Sequence, residues 1–325
     1  MKIIIPLAGK GTRMRPHTHT RPKPLIQIAG KPVLGHILDT VVPLKVEEVI
    51  FITGHLGNQI EEYVRKHYSF PCRFIEQKEL KGQAHAVALA KDFLQGGVII
   101  WFVDTISDAD LKGIEKVKED GVIFVKAMED PRRFGVVEVD SVGIVTDIVE
   151  KPEHPKSNLV NIGLYYVKDS SLMLQCIEEL MRSNKSFKGE FFLVDAFNLM
   201  IKRGTRFGAS EVSVWQDCGT MDATLETNTY YLRMGKTKAA ATKNAVLVPP
   251  VYIEDGASIE NSVVGPNVSV AADARIVHAI VNDSIIGEGA HIENVMVHQS
   301  IVGDNATLKG TPRRFNIGDD SSVEH

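Results

Sequence analysis

Up to about residue 235, short aliphatic runs alternate with longer stretches whose apolar residues recur at helical spacing. The runs Ile3–Leu7, Val49–Thr53, Val98–Val103 and Val122–Val125 read as buried strands. Between them Val33–Val42, Asn58–His67, Ala84–Leu94 and Asp108–Glu119 are long and amphipathic enough for helices. Strands of this kind separated by helices predict an α/β fold, doubly wound around a mostly parallel sheet. Such sheets bind ligands beyond the carboxyl ends of their strands, and the stretch Pro6–Leu25 begins at the first of these ends.

From Ile253 the rhythm changes. Ile253, Ile259, Val264, Val270, Ile276, Val281, Ile286, Ile292, Val297, Val302 and Leu308 follow one another every five or six residues. Two places before each, from Ile259 onward, stands a smaller side chain such as Ala257, Ser262, Ala274 or Ser284. One inward aliphatic and one corner residue per step of about six describes a parallel β-helix with three faces, here of about three to four coils. The five-residue steps predict local bulges. His278, His291 and His298 lie in these repeats and read as solvent-facing or stacked. Between the two patterns the polar stretch from Tyr230 to Asn244 reads as a linker or short helix, so two domains are expected, 1–240 and 241–325.

Composition narrows the chemistry. With 41 acids against 37 bases in 325 residues, the formal charge of −4 gives no overall pull toward nucleic acid or an anionic membrane surface. The basic stretch Pro6–Leu25, with two glycines and no acid, is therefore a local anion site. Cys72, Cys176 and Cys218 are far apart and without metal-ligand spacing, which suits a reducing cytoplasm. No apolar run reaches membrane-spanning length, and the first residues lack the features of a signal peptide.

The anion site is neither of two common phosphate loops. A Walker A loop needs a further glycine where Ile4 stands, and a dinucleotide fingerprint starting at Gly9 needs glycine where Met14 stands. What remains is a strand, then Ala8-Gly9-Lys10-Gly11-Thr12-Arg13, then prolines around Lys23. Glycines let backbone N–H groups approach phosphate oxygens, Arg13 offers a planar fork, and the prolines present Lys23 with little entropy left to lose.

"AGKGTRMRPHTHTRPKPL" resembles the signature of the sugar-1-phosphate nucleotidylyltransferases. Further segments match in order: "EQKELKGQAHAVALA", "FVDTI", "RFGVVEVD", "EKPEHPKSN", "NIGLYYV", "GEFFLVD" and "WQDCGTMDATLETN". The resemblance covers residues 1 to 235, and the repeat tail is similar to the left-handed hexapeptide-repeat helix that accompanies many members.

The resemblance implies attack by a sugar-1-phosphate oxygen on the α-phosphorus of a nucleoside triphosphate, with pyrophosphate leaving in line. It places Leu7, Ala8, Gly9, Gly11 and Thr12 at the nucleotide, with Gln77 and the backbone near Gly82 on the base. Arg13 would hold the departing phosphates, and Lys23 and Lys151 would flank the reacting ones. Asp104 and Asp217 would hold Mg²⁺, a hard ion content with two carboxylates plus phosphate oxygens. Gly135, Glu150, Asn161 and Glu190 would line the sugar phosphate.

Within the resemblance dTTP or UTP with glucose-1-phosphate is favoured, GTP with mannose-1-phosphate or another sugar phosphate is the alternative, and a non-catalytic regulatory subunit is the rival from another class. The presence of all five of Arg13, Lys23, Asp104, Lys151 and Asp217 disfavours that rival. A repeat half of this length, without a long insertion loop, reads as an assembly surface rather than an acyltransferase, and a homo-oligomer through the β-helix is expected.

Overall fold

The computed structural model of the chain describes residues 1–183, 186, 189–240 and 242–311. Of the expected second domain, residue 241 and residues 312–325 lie outside the described residues. The chain divides into two compact units, Met1–Ile26 with Lys31–Thr224, and Gln27–Gly30 with Leu225 onward.

The first unit contains the strands Lys2–Pro6 (β1), Glu48–Thr53 (β2), Cys72–Glu76 (β3), Val98–Trp101 (β4), Thr105–Ser107 (β5), Gly121–Ala127 (β6), Gly135–Val139 (β7), Val145–Glu150 (β8), Leu159–Val167 (β9), Phe207–Glu211 (β10) and Trp215–Asp217 (β11). Strands β4, β1, β2 and β3 lie side by side in that order, all parallel. Strand β9 continues the sheet antiparallel to β4, followed by β7 and β8, while β6 joins β9 and takes β10 in parallel. Ile3, Ile4 and Ile5 have no solvent exposure, so both faces of β1 are covered, as its unbroken apolar run requires.

Helices Val33–Val41 (α1), Gly57–His67 (α2), Gln83–Ala88 (α3), Ser170–Arg182 (α4) and Leu193–Lys202 (α5) connect these strands. Helix α2 buries only Ile60 and Val64, four residues apart, and leaves its charges outside. Helix α4 starts where the Asp169 carboxylate accepts the N–H groups of Ser171 and Leu172.

One expected helix is absent. Residues 108–119 hold a single 3₁₀ turn, Ile114–Lys116. Asp108 accepts a hydrogen bond from the Val214 N–H, Asp110 accepts one from the Lys112 N–H, and Gly113 adopts φ 73°. The local bond of Asp110 and a left-handed glycine, together with the long-range bond of Asp108 to Val214, win over the helical spacing of Leu111 and Ile114. The segment expected at Ala84–Leu94 is likewise shorter, ending as α3 at Ala88 before a 3₁₀ turn at Lys91–Phe93.

The order β4-β1-β2-β3 places the topological switch between β1 and β4, because the chain runs outward through β2 and β3 and then returns to the other side of β1. The glycine loop leaves the carboxyl end of β1, and Phe102–Asp104 leaves that of β4.

In the second unit, three parallel four-stranded sheets form the faces of a left-handed β-helix. Ile253, Val270, Ile286 and Val302 stack in register on one face, and Ile259, Ile276, Ile292 and Leu308 on the next. Val264, Val281 and Val297 stack on the third. These side chains are buried except at the last coil, where Leu308 is exposed.

The expected bulges do not occur in these ladders. The five-residue steps turn their corners through left-handed Asn261, His278, Asp283, Asn294 and Gln299, as six-residue steps do through Asn267, Asp273 and Asn305. Asparagine and aspartate tolerate that conformation at little cost. Asn244, Asn261 and His278 form a hydrogen-bonded column along one corner, with contacts of 2.7 and 3.2 Å, and His278 is solvent-facing within it. The stretch expected as a linker divides between the helix Met221–Arg233 (α6) and an incomplete first coil, in which Lys238 and Lys243 bridge to Tyr252 and Glu260.

Candidate active site

The glycine loop is shaped by two glycines with different duties. A Cβ on Gly9 would meet nothing within 4 Å, so this backbone faces open space where an oxygen could approach. Gly11 has φ 60°, and a Cβ there would lie 2.9 Å from Thr18 Cγ2 and 3.2 Å from Lys23 Cβ. Gly11 thus lets the chain fold back until Lys23 reaches the strand ends. Buried Thr18, which the sequence reading missed, closes this fold by donating its hydroxyl hydrogen to the Gly11 carbonyl at 2.8 Å.

A cavity of about 500 Å³ opens at these strand ends. It gathers Leu7, Ala8, Gly9, Gly11, Thr12, Arg13, Lys23, Gln77, Gly82, Asp104 and Glu190 from the expected site. Lys151, Asp217, Gly135, Glu150 and Asn161 lie outside its lining.

Lys23 Nζ donates to Asp104 Oδ2 at 2.9 Å. Burial pushes the Asp104 carboxyl up, but the charge and hydrogen bond of Lys23, with Arg13 adding to them, outweigh burial and hold it below the usual carboxylate range. Strands β5 and β11 pair antiparallel with Asp217 opposite Thr105, which puts a second carboxylate beside Asp104. Burial and then repulsion from Asp104 push the Asp217 carboxyl up, although Gly219 donates its N–H to Asp217 Oδ1 at 2.8 Å. Two acids that disfavour each other's charge are a donor set that fits one hard divalent cation. Among the described residues there is no group of three or more metal-ligating side chains. Thr105 anchors this corner by donating its hydroxyl hydrogen to the Ile162 carbonyl of β9.

On the other side of the cavity Gln77 is almost fully buried. Its amide nitrogen lies 3.1 Å from the Gly82 carbonyl oxygen and 2.9 Å from His85 Nδ1. A Cβ on Gly82, at φ 93°, would lie 2.6 Å from both the backbone N and O of Phe191, so it is Phe191 that demands the small residue there. His85 was not singled out from sequence, although it sits within the matched segment on α3.

The remaining expected residues form a second group on β7, β8 and β9. Asn161 Nδ2 donates to the Gly135 carbonyl at 3.3 Å, and a Cβ on Gly135 would overlap that amide. Glu150 is 3.4 Å from the exposed ammonium of Lys151, whose own φ of 47° turns the chain after β8. Tyr165, also missed, donates its hydroxyl hydrogen to Asn161 Oδ1 at 2.5 Å. Burial, then the negative charges of Glu150 and Asp104, push the Tyr165 phenol far up, which ties this group electrostatically to the cavity. No regular spacing pointed to it, because Gly163 at φ 79° and a register shift against β6 break the alternation of β9 between Asn161 and Tyr165.

Comparison with known proteins gives a consistent picture. The family described as nucleotidyl transferase matches residues 2–234, and one described as GlmU-like, C-terminal hexapeptide matches residues 235–292. The chain is 37% identical over 259 residues to the bifunctional protein GlmU of Methanocaldococcus jannaschii, covering 79% of this chain and 61% of that protein. It is 29% identical to the glucose-1-phosphate thymidylyltransferase of Streptomyces antibioticus, covering 100% of this chain and 99% of the relative. Among solved structures, UDP-glucose pyrophosphorylase complexed with UDP-glucose shares the fold with a TM-score of 0.64 at 22% identity, covering 72% of this chain and 98% of that one. No helix among the described residues is long and apolar enough to cross a membrane.

Proposed function

This chain belongs to the nucleotidyl transferase family, and from that premise we propose that it joins a nucleoside triphosphate to a sugar-1-phosphate and releases pyrophosphate. The observation that carries the reading is the meeting of Lys23 with Asp104 at the switch point, with Asp217 opposite on β11 and the open glycine loop alongside. Both reactants are anions, so the protein's task is alignment and charge neutralisation. Arg13 holds the departing pyrophosphate with its fork, and Lys23 and Lys151 meet the reacting phosphates. Asp104 and Asp217 would hold Mg²⁺, which when bound supplies Lewis-acid neutralisation of phosphate oxygens. Asn161, Glu150 and Glu190 orient the sugar through its hydroxyls, with Tyr165 and Gly135 keeping Asn161 in place. No general base is needed, because a phosphate monoester oxygen is already ionised near neutral pH.

Gln77 supports a choice among the bases. Because the Gly82 carbonyl can only accept, the amide atom facing it is nitrogen, and the amide oxygen remains to receive a hydrogen from the base. At the ring nitrogen of that edge uracil and thymine offer N–H and guanine offers another, whereas cytosine and adenine offer a lone pair there and a hydrogen only on the exocyclic amine beside it. This supports UTP and dTTP, with GTP as the alternative, and glucose-1-phosphate remains the favoured acceptor. The test is pyrophosphate release with Mg²⁺ across a matrix of nucleoside triphosphates and sugar-1-phosphates. UTP or dTTP is expected to exceed CTP and ATP by at least about a hundredfold in kcat/KM. Absence of turnover with every pair would favour a regulatory role.

In this reading residues 1–240 carry the transfer, and residues 241–325 assemble copies of the chain in a reducing cytoplasm. Outward residues of one β-helix face, Val246, Val263, Ile280 and Met296, stack in register, and Val246, Ile280 and Met296 are strongly exposed. The neighbouring face carries Glu260, Arg275, His291 and Glu293 instead. A charge-free stripe of this kind supports contact with a second copy. Met296→Asp is expected to shift the mass measured by light scattering toward monomer, and an unchanged mass would remove this face from the assembly.

A further inference from the structure

The amide of Gln77 is held at two points by groups of unequal quality. The Gly82 carbonyl that it reaches at 3.1 Å also accepts the N–H of Ala86 at 3.2 Å, the first turn of α3. His85 Nδ1, at 2.9 Å, is the closer partner. An imidazole nitrogen can receive an amide hydrogen only through its lone pair, so the contact requires neutral His85 with its proton on Nε2. Turning the amide over would set its oxygen against two acceptors at once.

Resting on the transfer reading above, we infer that His85 is a positioning residue that locks the Gln77 amide with its oxygen toward the cavity and thereby selects bases presenting a ring N–H. Helix α3 brings this imidazole to Gln77 because eight residues separate them across the Gly82 turn, and Phe191 clamps that turn by accepting the Ala84 N–H at 3.0 Å. The surroundings keep the ring neutral: burial lowers the affinity of His85 for a second proton, and the Lys81 ammonium lowers it further against the weaker opposing pull of Glu79. Protonation or the other tautomer would place a hydrogen on Nδ1 and attract the amide oxygen instead. The cavity would then present amide hydrogens, the pattern that suits the ring lone pair of cytosine.

Two measurements test this. In the intact wild-type chain, long-range nitrogen–proton spectra of labelled histidine are expected to show His85 protonated on Nε2 alone at neutral pH. A proton on Nδ1 overturns the inference whether or not the chain is active. In kinetics, His85→Ala is expected to lower the ratio of kcat/KM for UTP over CTP by about tenfold, with most of the change in KM for UTP. His85→Asn, whose side-chain oxygen restores an acceptor near the place of Nδ1, is expected to recover the ratio. An unchanged ratio in His85→Ala, or equal losses for every base in both variants, overturns the assignment. A wild-type chain that transfers no nucleotide overturns the transfer reading itself, while the spectra still decide the His85–Gln77 contact.

Discussion

Asp217→Asn is expected to lower turnover about a thousandfold while leaving the melting temperature unchanged or raised. The two halves of this result have separate causes. The amide keeps the shape of the side chain and can still accept the Gly219 N–H through Oδ1, so the turn after β11 survives. What is lost is a negative charge that burial and Asp104 both oppose. In the protein without a cation that charge costs stability, so removing it relieves the fold. With a divalent ion, the same charge is half of the carboxylate pair that would bind it, and a single acid with a neutral amide holds a hard cation poorly. Pyrophosphate release and a thermal melt of the same preparations check both halves. Wild-type turnover would remove Asp217 from the site, and a melt lowered by several degrees would mean that its charge stabilises the fold rather than straining it.

The contrast between the halves of the chain shows what periodicity can carry. The β-helix was legible because each coil buries one aliphatic residue per face, so the period appears directly as Ile253, Ile259 and Val264 and their successors. Its corners were less legible, since left-handed residues turn five-residue and six-residue steps alike and leave no mark in the spacing. In the α/β half, β1, β2 and β4 announced themselves by unbroken apolar runs. Residues 108–119 misled because Leu111 and Ile114 have helical spacing, while the bond Asp108 accepts from Val214 depends on a distant partner the pattern cannot name.

The site divides in the same way. Gly9, Gly11, Arg13 and Lys23 lie close in sequence and could be read as one loop, whereas Asp104 and Asp217 meet only through the pairing of β5 with β11. Tyr165 and His85 lie against Asn161 and Gln77, and each contact is visible only once a distance is known.

Lys23→Met is expected to lower turnover by about a hundredfold or more, and it reverses the stability pattern of Asp217→Asn. Methionine keeps the apolar stem of Lys23 but leaves Asp104 facing burial and the Asp217 charge without the ammonium 2.9 Å away. Breaking a buried pair costs about 3–5 kcal/mol. Asp104 is still 36% exposed, so screening reduces the expected loss here to about 1–2 kcal/mol. Because the ammonium occupies Asp104 Oδ2, it competes with any cation arriving there. Removing it should make the two carboxylates a better site, so added Mg²⁺ should raise the melting temperature of Lys23→Met by more than that of the wild type. The same addition should leave Asp217→Asn nearly unmoved. Turnover should stay low even at saturating Mg²⁺, because the ammonium proposed to meet the reacting phosphates is gone. Equal Mg²⁺ responses in the three proteins would show that Lys23 and the cation do not share Asp104.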